Sequence, residues 1–290
     1  MELNYEVVDV FTERALEGNP LAVFTDARGL SDTLMQRIAR ELNLSETTFA
    51  LPATTPDAAA KVRIFTPGSE MLFAGHPTIG TAYVARERGI VPRDVATFVL
   101  EEKVGPVKVR VDDAGMIWLE TPPITKGATF DRALCARALS LPANDLIDDV
   151  PCQFLTAGNP TIFIPLKTAV AVDRVKIDSA ALRQLTADLE PTCIFAFAPA
   201  PDGAYSRMFA EELGVTEDPA TGSATGPLAA FMMEHGLVAT SDGTRFISEQ
   251  GTKMGRRSLL HVLVRGEKGS TAIEVGGHVA PVATATMRLP

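Results

Sequence analysis

Apolar and polar positions alternate from Tyr5 to Val10, the pattern of a half-buried strand, and Glu17, Gly18, Asn19 and Pro20 turn the chain back into a second apolar run, Leu21 to Phe24. The pair reads as a hairpin. Behind Ser31 and Asp32 the period changes: Leu34, Ile38, Ala39 and Leu42 recur at steps of three and four, which predicts a capped helix ending near Asn43. Leu44 to Leu51 and Val62 to Thr66 return to strand patterns, and Ala96 to Leu100, Val104 to Val111 and Met116 to Glu120 follow as strands joined by short turns. Between these two groups lies a segment of another kind. Phe73, Ala74, Gly75, His76, Pro77, Thr78, Ile79 and Gly80 lead into Thr81, Ala82, Tyr83, Val84 and Ala85 and stop at Gly89, which predicts a helix apolar on most of its circumference. Such a helix must be buried, and with strands before and after it the simplest solution is a sheet curled around it.

Thr121, Pro122 and Pro123 break the pattern, after which the order recurs. A helix is expected from Asp131 to Ser140, a hairpin through Phe154 to Pro165, a helix from Ser179 to Leu189, and strands from Cys193 to Phe197 and around Arg207 to Ala210. Glu217 to Ala220 then reads as a loop, and Thr221, Gly222, Ser223, Ala224, Thr225, Gly226 and Pro227 open a second apolar helix that stops at Gly236. Thr221 or Ser223 is expected to cap this helix, and Pro227 to fall in an early turn that can spare an N–H. Strands from Arg245 to Ser248, Ser258 to Val264 and Thr271 to Val275 close the second half. The two halves also share short strings: Gly18-Asn19-Pro20 recurs as Gly158-Asn159-Pro160, Arg63-Ile64-Phe65 as Arg207-Met208-Phe209, and Gly75 and Gly89 each recur 147 positions on, as Gly222 and Gly236. Four matches in one order argue for an internal duplication. The expected architecture is therefore α+β, with two similar domains, 1–122 and 123–290, each a mostly antiparallel, barrel-like sheet around a central buried helix; 279–290 is a candidate to return to the first domain. Helix starts rich in small residues suit anions, and Asp218 places a proton-transferring group beside one of them.

Composition narrows the class. With 290 residues, 46% hydrophobic and 22% charged, the chain can bury two cores, and a net charge of −9 with a pI near 5.0 argues against a nucleic-acid partner. The dense basic spot at Lys253, Arg256 and Arg257 reads as a solvated hairpin tip. Three cysteines, Cys135, Cys152 and Cys193, are odd in number and set among apolar neighbours, which predicts core thiols in a reducing compartment and no metal site. No run approaches a membrane span or a signal peptide, so the expected location is cytoplasmic and no membrane partner is expected. Phosphate-loop, zinc-protease and nucleophile-elbow motifs are missing from the sequence.

The strings Gly18-Asn19-Pro20, Leu44-Ser45-Glu46-Thr47, Arg63-Ile64-Phe65-Thr66-Pro67, Phe73-Ala74-Gly75-His76-Pro77, Ser206-Arg207-Met208-Phe209, and Glu217-Asp218 with Ala220-Thr221-Gly222-Ser223-Ala224 resemble, in order and spacing, the PhzF-like isomerases of phenazine biosynthesis. The resemblance covers essentially the whole chain. It implies the fold of diaminopimelate epimerase, a site in the cleft between two domains, a homodimer, and a reaction that needs neither cofactor nor metal. It further implies a small-molecule substrate, with isomerisation of trans-2,3-dihydro-3-hydroxyanthranilate as the leading case. Residue by residue, Glu46 matches the family's proton-transferring glutamate, His76 and Asp218 its catalytic partners, and Ser45, Gly75, Gly222 and Ser223 its substrate-binding positions. A base that works on carbon needs a pKa near the working pH, which partial burial of Glu46 beside Leu44, Phe49 and Leu51 would supply.

Two other readings stand beside this one. A racemase or epimerase of the same fold uses one thiol before each helix, but Ala74 and Thr221 occupy those positions here. A non-catalytic ligand-binding or dimeric protein has no need to keep Glu46, His76, Asp218 and Ser223 together.

Overall fold

The first strand, β1 (Glu2–Val10), starts three residues earlier than its alternation predicts because it has a partner on each side. β2 (Asn19–Phe24) pairs antiparallel with it from Tyr5 opposite Phe24 to Val10 opposite Asn19. On its other side the C-terminal strand, Val279–Arg288, pairs antiparallel from Glu2 opposite Arg288 to Val10 opposite Val279. In this computed structural model, which describes residues 1–266 and 272–289, the chain divides into two compact units: Met1–Glu120 with Gly276–Pro290, and Thr121–Val275.

In the first unit α1 (Asp32–Leu42) is capped by Ser31, whose hydroxyl accepts from the Leu34 N–H, and ends at Asn43 in the left-handed conformation. Its buried face, Met35, Ile38 and Ala39, packs on a cluster with Phe24, Phe49 and Phe65. β3 (Glu46–Leu51) lies parallel to β2 and antiparallel to β4 (Ala58–Phe65), which continues to the short β5 (Glu70–Met71). α2 (Gly75–Glu87) follows, then β6 (Thr97–Glu102), β7 (Gly105–Val111) and β8 (Ile117–Glu120). Most of this sheet is antiparallel, with β4 and β6 side by side and parallel.

From Gly75 to Ala82 every residue of α2 is buried, and so are Val84 and Ala85. Such enclosure is what an all-round apolar helix requires, and full burial of each large side chain such as Ile79 contributes about 1.5–3 kcal/mol. Pro77 is the third residue, where a helix has no internal use for its N–H. Gly80 lets the sheet come close: a Cβ there would lie 2.5 Å from Leu21 Cδ2 and 2.9 Å from Val10 Cγ2.

The second unit begins with β9 (Thr125–Phe130), which the pattern of apolar positions does not reveal because nearly all of it is exposed; pairing with β10 (Cys152–Thr156) holds it. Between them lies α3 (Arg132–Ala138), capped by Asp131. β11 (Thr161–Pro165) precedes a helix that the sequence reading omits, α4 (Ala169–Arg174), six residues long and capped by Thr168. α5 (Ser179–Leu185) ends four residues short of the expected Leu189: the Thr186 hydroxyl, within reach of Leu182 O and the Glu212 carboxylate, marks where the chain turns away. β12 (Cys193–Ala200) and β13 (Gly203–Ala210) form an antiparallel pair.

Glu217 and Asp218 are not loop residues as expected; they end β14 (Val215–Asp218), which pairs with β13 through Met208 and Asp218. α6 (Gly222–Glu234) then starts with Thr221 at its cap position, but neither Thr221 nor Ser223 caps the first turn through its side chain. The Thr221 hydroxyl is turned to Asp218 instead. Pro227 also departs from expectation: it is the sixth residue of α6, too deep for a spare N–H, so the helix forgoes one internal hydrogen bond there. Gly236 closes α6 in the left-handed conformation. β15 (Arg245–Gln250), β16 (Ser258–Arg265) and β17 (Ala272–Gly277) complete the chain up to the C-terminal strand; Thr271, expected to open that last segment, lies outside the described residues. Among the described residues no helix is long and apolar enough to cross a membrane.

Candidate active site

Side chains alternate along β3, so Glu46 and Thr48 share one face while Phe49 joins the cluster under α1 on the other. The first face meets α2. Thr81 Oγ1 donates to Thr48 Oγ1 at 2.8 Å, and five residues earlier on the helix His76 Nε2 lies 3.1 Å from Glu46 Oε2. Two strand residues and five helix residues both span about 7 Å, so one contact brings the other with it. Side-chain exposure is 5% for His76 and 14% for Glu46. Burial holds the imidazole pKa down at about 3, so His76 is neutral at ordinary pH. A neutral imidazole nitrogen at 3.1 Å from a carboxyl oxygen is a favourable contact when one proton lies between them, which is the arrangement a proton-transferring pair needs. Ser45 is half-buried in the bend before β3, and Gly75 is the buried first residue of α2.

The small-residue start of α2 is tied down from beneath. Thr78 Oγ1 lies 2.7 Å from Ala74 O and 2.6 Å from Oε1 of Glu102, a buried carboxyl at the end of β6. Burial pushes the Glu102 pKa up to about 8, with the Thr78 contact pulling the other way. Nothing in the sequence singled out Glu102.

In the second unit Asp218, Gly222 and Ser223 stand at the start of α6. Thr221 Oγ1 donates to Asp218 Oδ2 at 2.5 Å. Gln250, fully buried, spans the turn: its Nε2 donates to Asp218 O at 2.7 Å and to Thr221 Oγ1 at 3.0 Å, while its Oε1 accepts from Thr221 N at 3.2 Å. Gly251 follows in the left-handed conformation, where a Cβ would strike Arg256 O and Pro219 O. Asn159 Nδ2 donates to Ser223 Oγ at 3.1 Å, which gives the repeated Gly-Asn-Pro string a positioning role that the sequence reading did not assign. Upstream, Arg207 grips Glu217 through Nε and Nη2, both at 2.8 Å, and donates from Nη1 to Val175 O at 2.9 Å. That pair fixes β14 just before Asp218.

The thiols are unsuited to act as bases. All three are buried. The Cys193 thiol is pushed up to about 12, first by burial and then by the negative charge of Asp218, and Cys135 is pushed up by its hydrogen bond with Cys152 and by burial. Ala74 and Thr221, the residues at the cap positions of α2 and α6, carry no ionisable base. Among the described residues no group of three or more His, Cys, Asp and Glu side chains is arranged to hold a metal ion.

A model of the family described as phenazine biosynthesis-like protein, PhzC-PhzF, matches residues 8–285. An uncharacterised isomerase of Mesorhizobium japonicum is 36% identical over 97% of each chain. The trans-2,3-dihydro-3-hydroxyanthranilate isomerase of Pseudomonas aeruginosa is 35% identical over 96% of this chain and 97% of its own. The crystal structure of the Bacillus anthracis phenazine biosynthesis protein of the PhzF family covers all of both chains with a TM-score of 0.89 at 26% identity.

Proposed function

The chain belongs to the phenazine biosynthesis-like family, with the α+β, diaminopimelate epimerase-like fold and the isomerase activity of that family, and we propose that it moves a proton between two carbons of a small carboxylated substrate with Glu46 as the base. The observation that carries this reading is Glu46 set 3.1 Å from a buried, neutral His76 at the start of an enclosed helix. In the reaction the Glu46 carboxylate takes a proton from one carbon, the electron pair shifts along the conjugated system, and the same group returns the proton to the second carbon. His76 holds Glu46 by sharing a proton with it and gains no charge of its own. One carboxyl serves both halves of the transfer, so no cofactor or metal enters it. Asp218 assists proton movement, and Ser45, Gly75, Gly222 and Ser223 bind the substrate's polar groups. The enzyme works as a homodimer in the cytoplasm.

Trans-2,3-dihydro-3-hydroxyanthranilate is the first substrate to test, since it is the substrate named for the Pseudomonas aeruginosa relative. Proton NMR of this compound in D₂O with the enzyme, run beside Glu46→Gln, decides the matter. New product signals or deuterium at a ring carbon with the wild type alone support the reading. Turnover by the variant equal to wild type removes Glu46 from its role, and no change with wild type rules out that substrate. A thiol-based epimerase reading has no base at Ala74 or Thr221 to support it.

A further inference from the structure

Thr78 has one hydroxyl hydrogen and two oxygen neighbours, Ala74 O at 2.7 Å and Glu102 Oε1 at 2.6 Å. Both contacts are hydrogen bonds only if a second hydrogen is present, and Glu102 is the group able to bring it. We propose that Glu102 is a neutral carboxylic acid and a positioning residue: its O–H donates to Thr78 Oγ1, the Thr78 hydroxyl donates to Ala74 O, and this chain fixes the first turn of α2, including Gly75 and His76.

Geometry carries the chain beyond its own atoms. Ala74 is the cap residue of α2, and its carbonyl also accepts the backbone N–H of Thr78 at 3.3 Å. Peptide planarity then turns the N–H of Gly75 away from that carbonyl, so holding Ala74 O orients the first free N–H of the helix. His76 is the next residue. The remaining oxygen of Glu102, Oε2, is buried without a hydrogen-bond partner, a position tolerable for the carbonyl oxygen of a neutral acid and costly for a carboxylate.

The charged groups around Glu102 are already engaged with one another. A cavity of about 780 Å³ has Glu102 in its wall together with Asp32, Lys61, Arg63, Glu70, Glu101 and Lys103. Arg63 pairs with Asp32 and Glu70, Lys103 with Glu70, and Lys61 with Glu101. No cation in this set bonds Glu102, and burial alone raises its pKa, to about 8. Above this pH the acid ionises, the Thr78 hydroxyl turns to the carboxylate, and Ala74 O loses its side-chain bond. The inference rests on the site proposed above, because it assigns importance to the turn that carries His76.

Infrared difference spectroscopy and ¹⁵N NMR of the His76 ring test it independently of substrate. Wild type should show a protonated-carboxyl stretch that disappears with a midpoint near pH 8, missing in Glu102→Gln. The His76 ring resonances should shift with the same midpoint in wild type and stay flat in the variant. With a working substrate, kcat should fall above that pH in wild type, the alkaline limb should vanish in Glu102→Gln, and at pH 7 Gln should retain at least tenfold more kcat than Ala, with KM little changed. Thr78→Val should behave as Glu102→Ala, and Thr78→Ser as wild type. A carboxyl band unaffected by Glu102→Gln would overturn the protonation, and a band that titrates while His76 does not move would overturn the positioning. Loss of the Glu46 reading leaves both spectroscopic outcomes intact, so the two failures can be told apart.

Discussion

His76 Nε2 and Glu46 Oε2 stand 3.1 Å apart, and burial keeps the imidazole uncharged down to about pH 3. Folding therefore excludes a proton that the unfolded chain binds below its ordinary pKa of 6.5. The unfolded state holds more protons in that range, so stability is complete above 6.5 and declines as pH falls toward 3. Going from pH 7.5 to 5 should cost about 2 kcal/mol through this residue. Urea unfolding of wild type and His76→Gln at both pH values measures it; equal pH dependence in the two would show that His76 is not buried neutral.

Glu102 acts in the opposite sense. Its folded pKa, about 8, exceeds the ordinary 4.5, so the folded state retains a proton that the unfolded state releases. Stability from this group is complete below 4.5 and is lost as pH rises toward 8. Relative to Glu102→Gln, wild type should lose about 3 kcal/mol between pH 5 and 7.5. Denaturation midpoints of the pair across that range test the sign directly.

Replacing Glu46 by Gln should leave fold and substrate affinity largely intact and lower kcat by about 10²–10⁴-fold, the usual worth of a positioned proton-transfer group. A rise in KM with kcat unchanged would make Glu46 a binding residue. Steady-state kinetics with isotope exchange separates the two.

Gln250→Ala should strip three hydrogen bonds from the turn before α6 and leave Thr221 N and Asp218 O to find new partners. Each buried group left unsatisfied costs about 1–3 kcal/mol. Lower thermal stability and a raised KM are expected together. Asn159→Ala, which frees only Ser223 Oγ, should raise KM with a smaller effect on stability.

Arg207 and Glu217 form a two-point ion pair with side chains only 10% and 14% exposed. Arg207→Met alone strands the carboxylate and should cost about 3–5 kcal/mol. Arg207→Met with Glu217→Leu should recover much of that loss. Chemical denaturation of the single and double variants closes the cycle.

The two enclosed helices were legible because they break the strand period with apolar residues on all sides, and the strands beside them were legible through alternation. β9 was invisible: exposed on nearly every residue, it has no period to read and exists through its pairing with β10. α4 was too short to show a stripe, and β14 was hidden because Glu217 and Asp218 carry the composition of a loop while pairing with β13 holds their strand and Arg207 holds the Glu217 side chain. At the site, Glu46 and His76 could be named from their motifs, yet the residues that hold the helix starts could not. Glu102 and Gln250 are buried, and they and Asn159 work by hydrogen bonds to groups 24, 29 and 64 residues away, which nothing in their own neighbourhoods announces. Pro227 misled the reading because the same residue is harmless three positions into a helix and costs a hydrogen bond six positions in.

The strand Val279–Arg288 lies along β1, whose other edge is taken by β2. During synthesis β1 leaves the ribosome long before this partner, with the whole of Thr121–Val275 made in between. Until then β1 carries a row of open N–H and C=O groups, the kind of edge that recruits other chains. The unit Thr121–Val275 is continuous and can close as soon as it emerges, whereas the unit it interrupts cannot. Nascent chains stalled before residue 279 should therefore be the species that chaperones bind, and deleting Val279–Arg288 should promote aggregation.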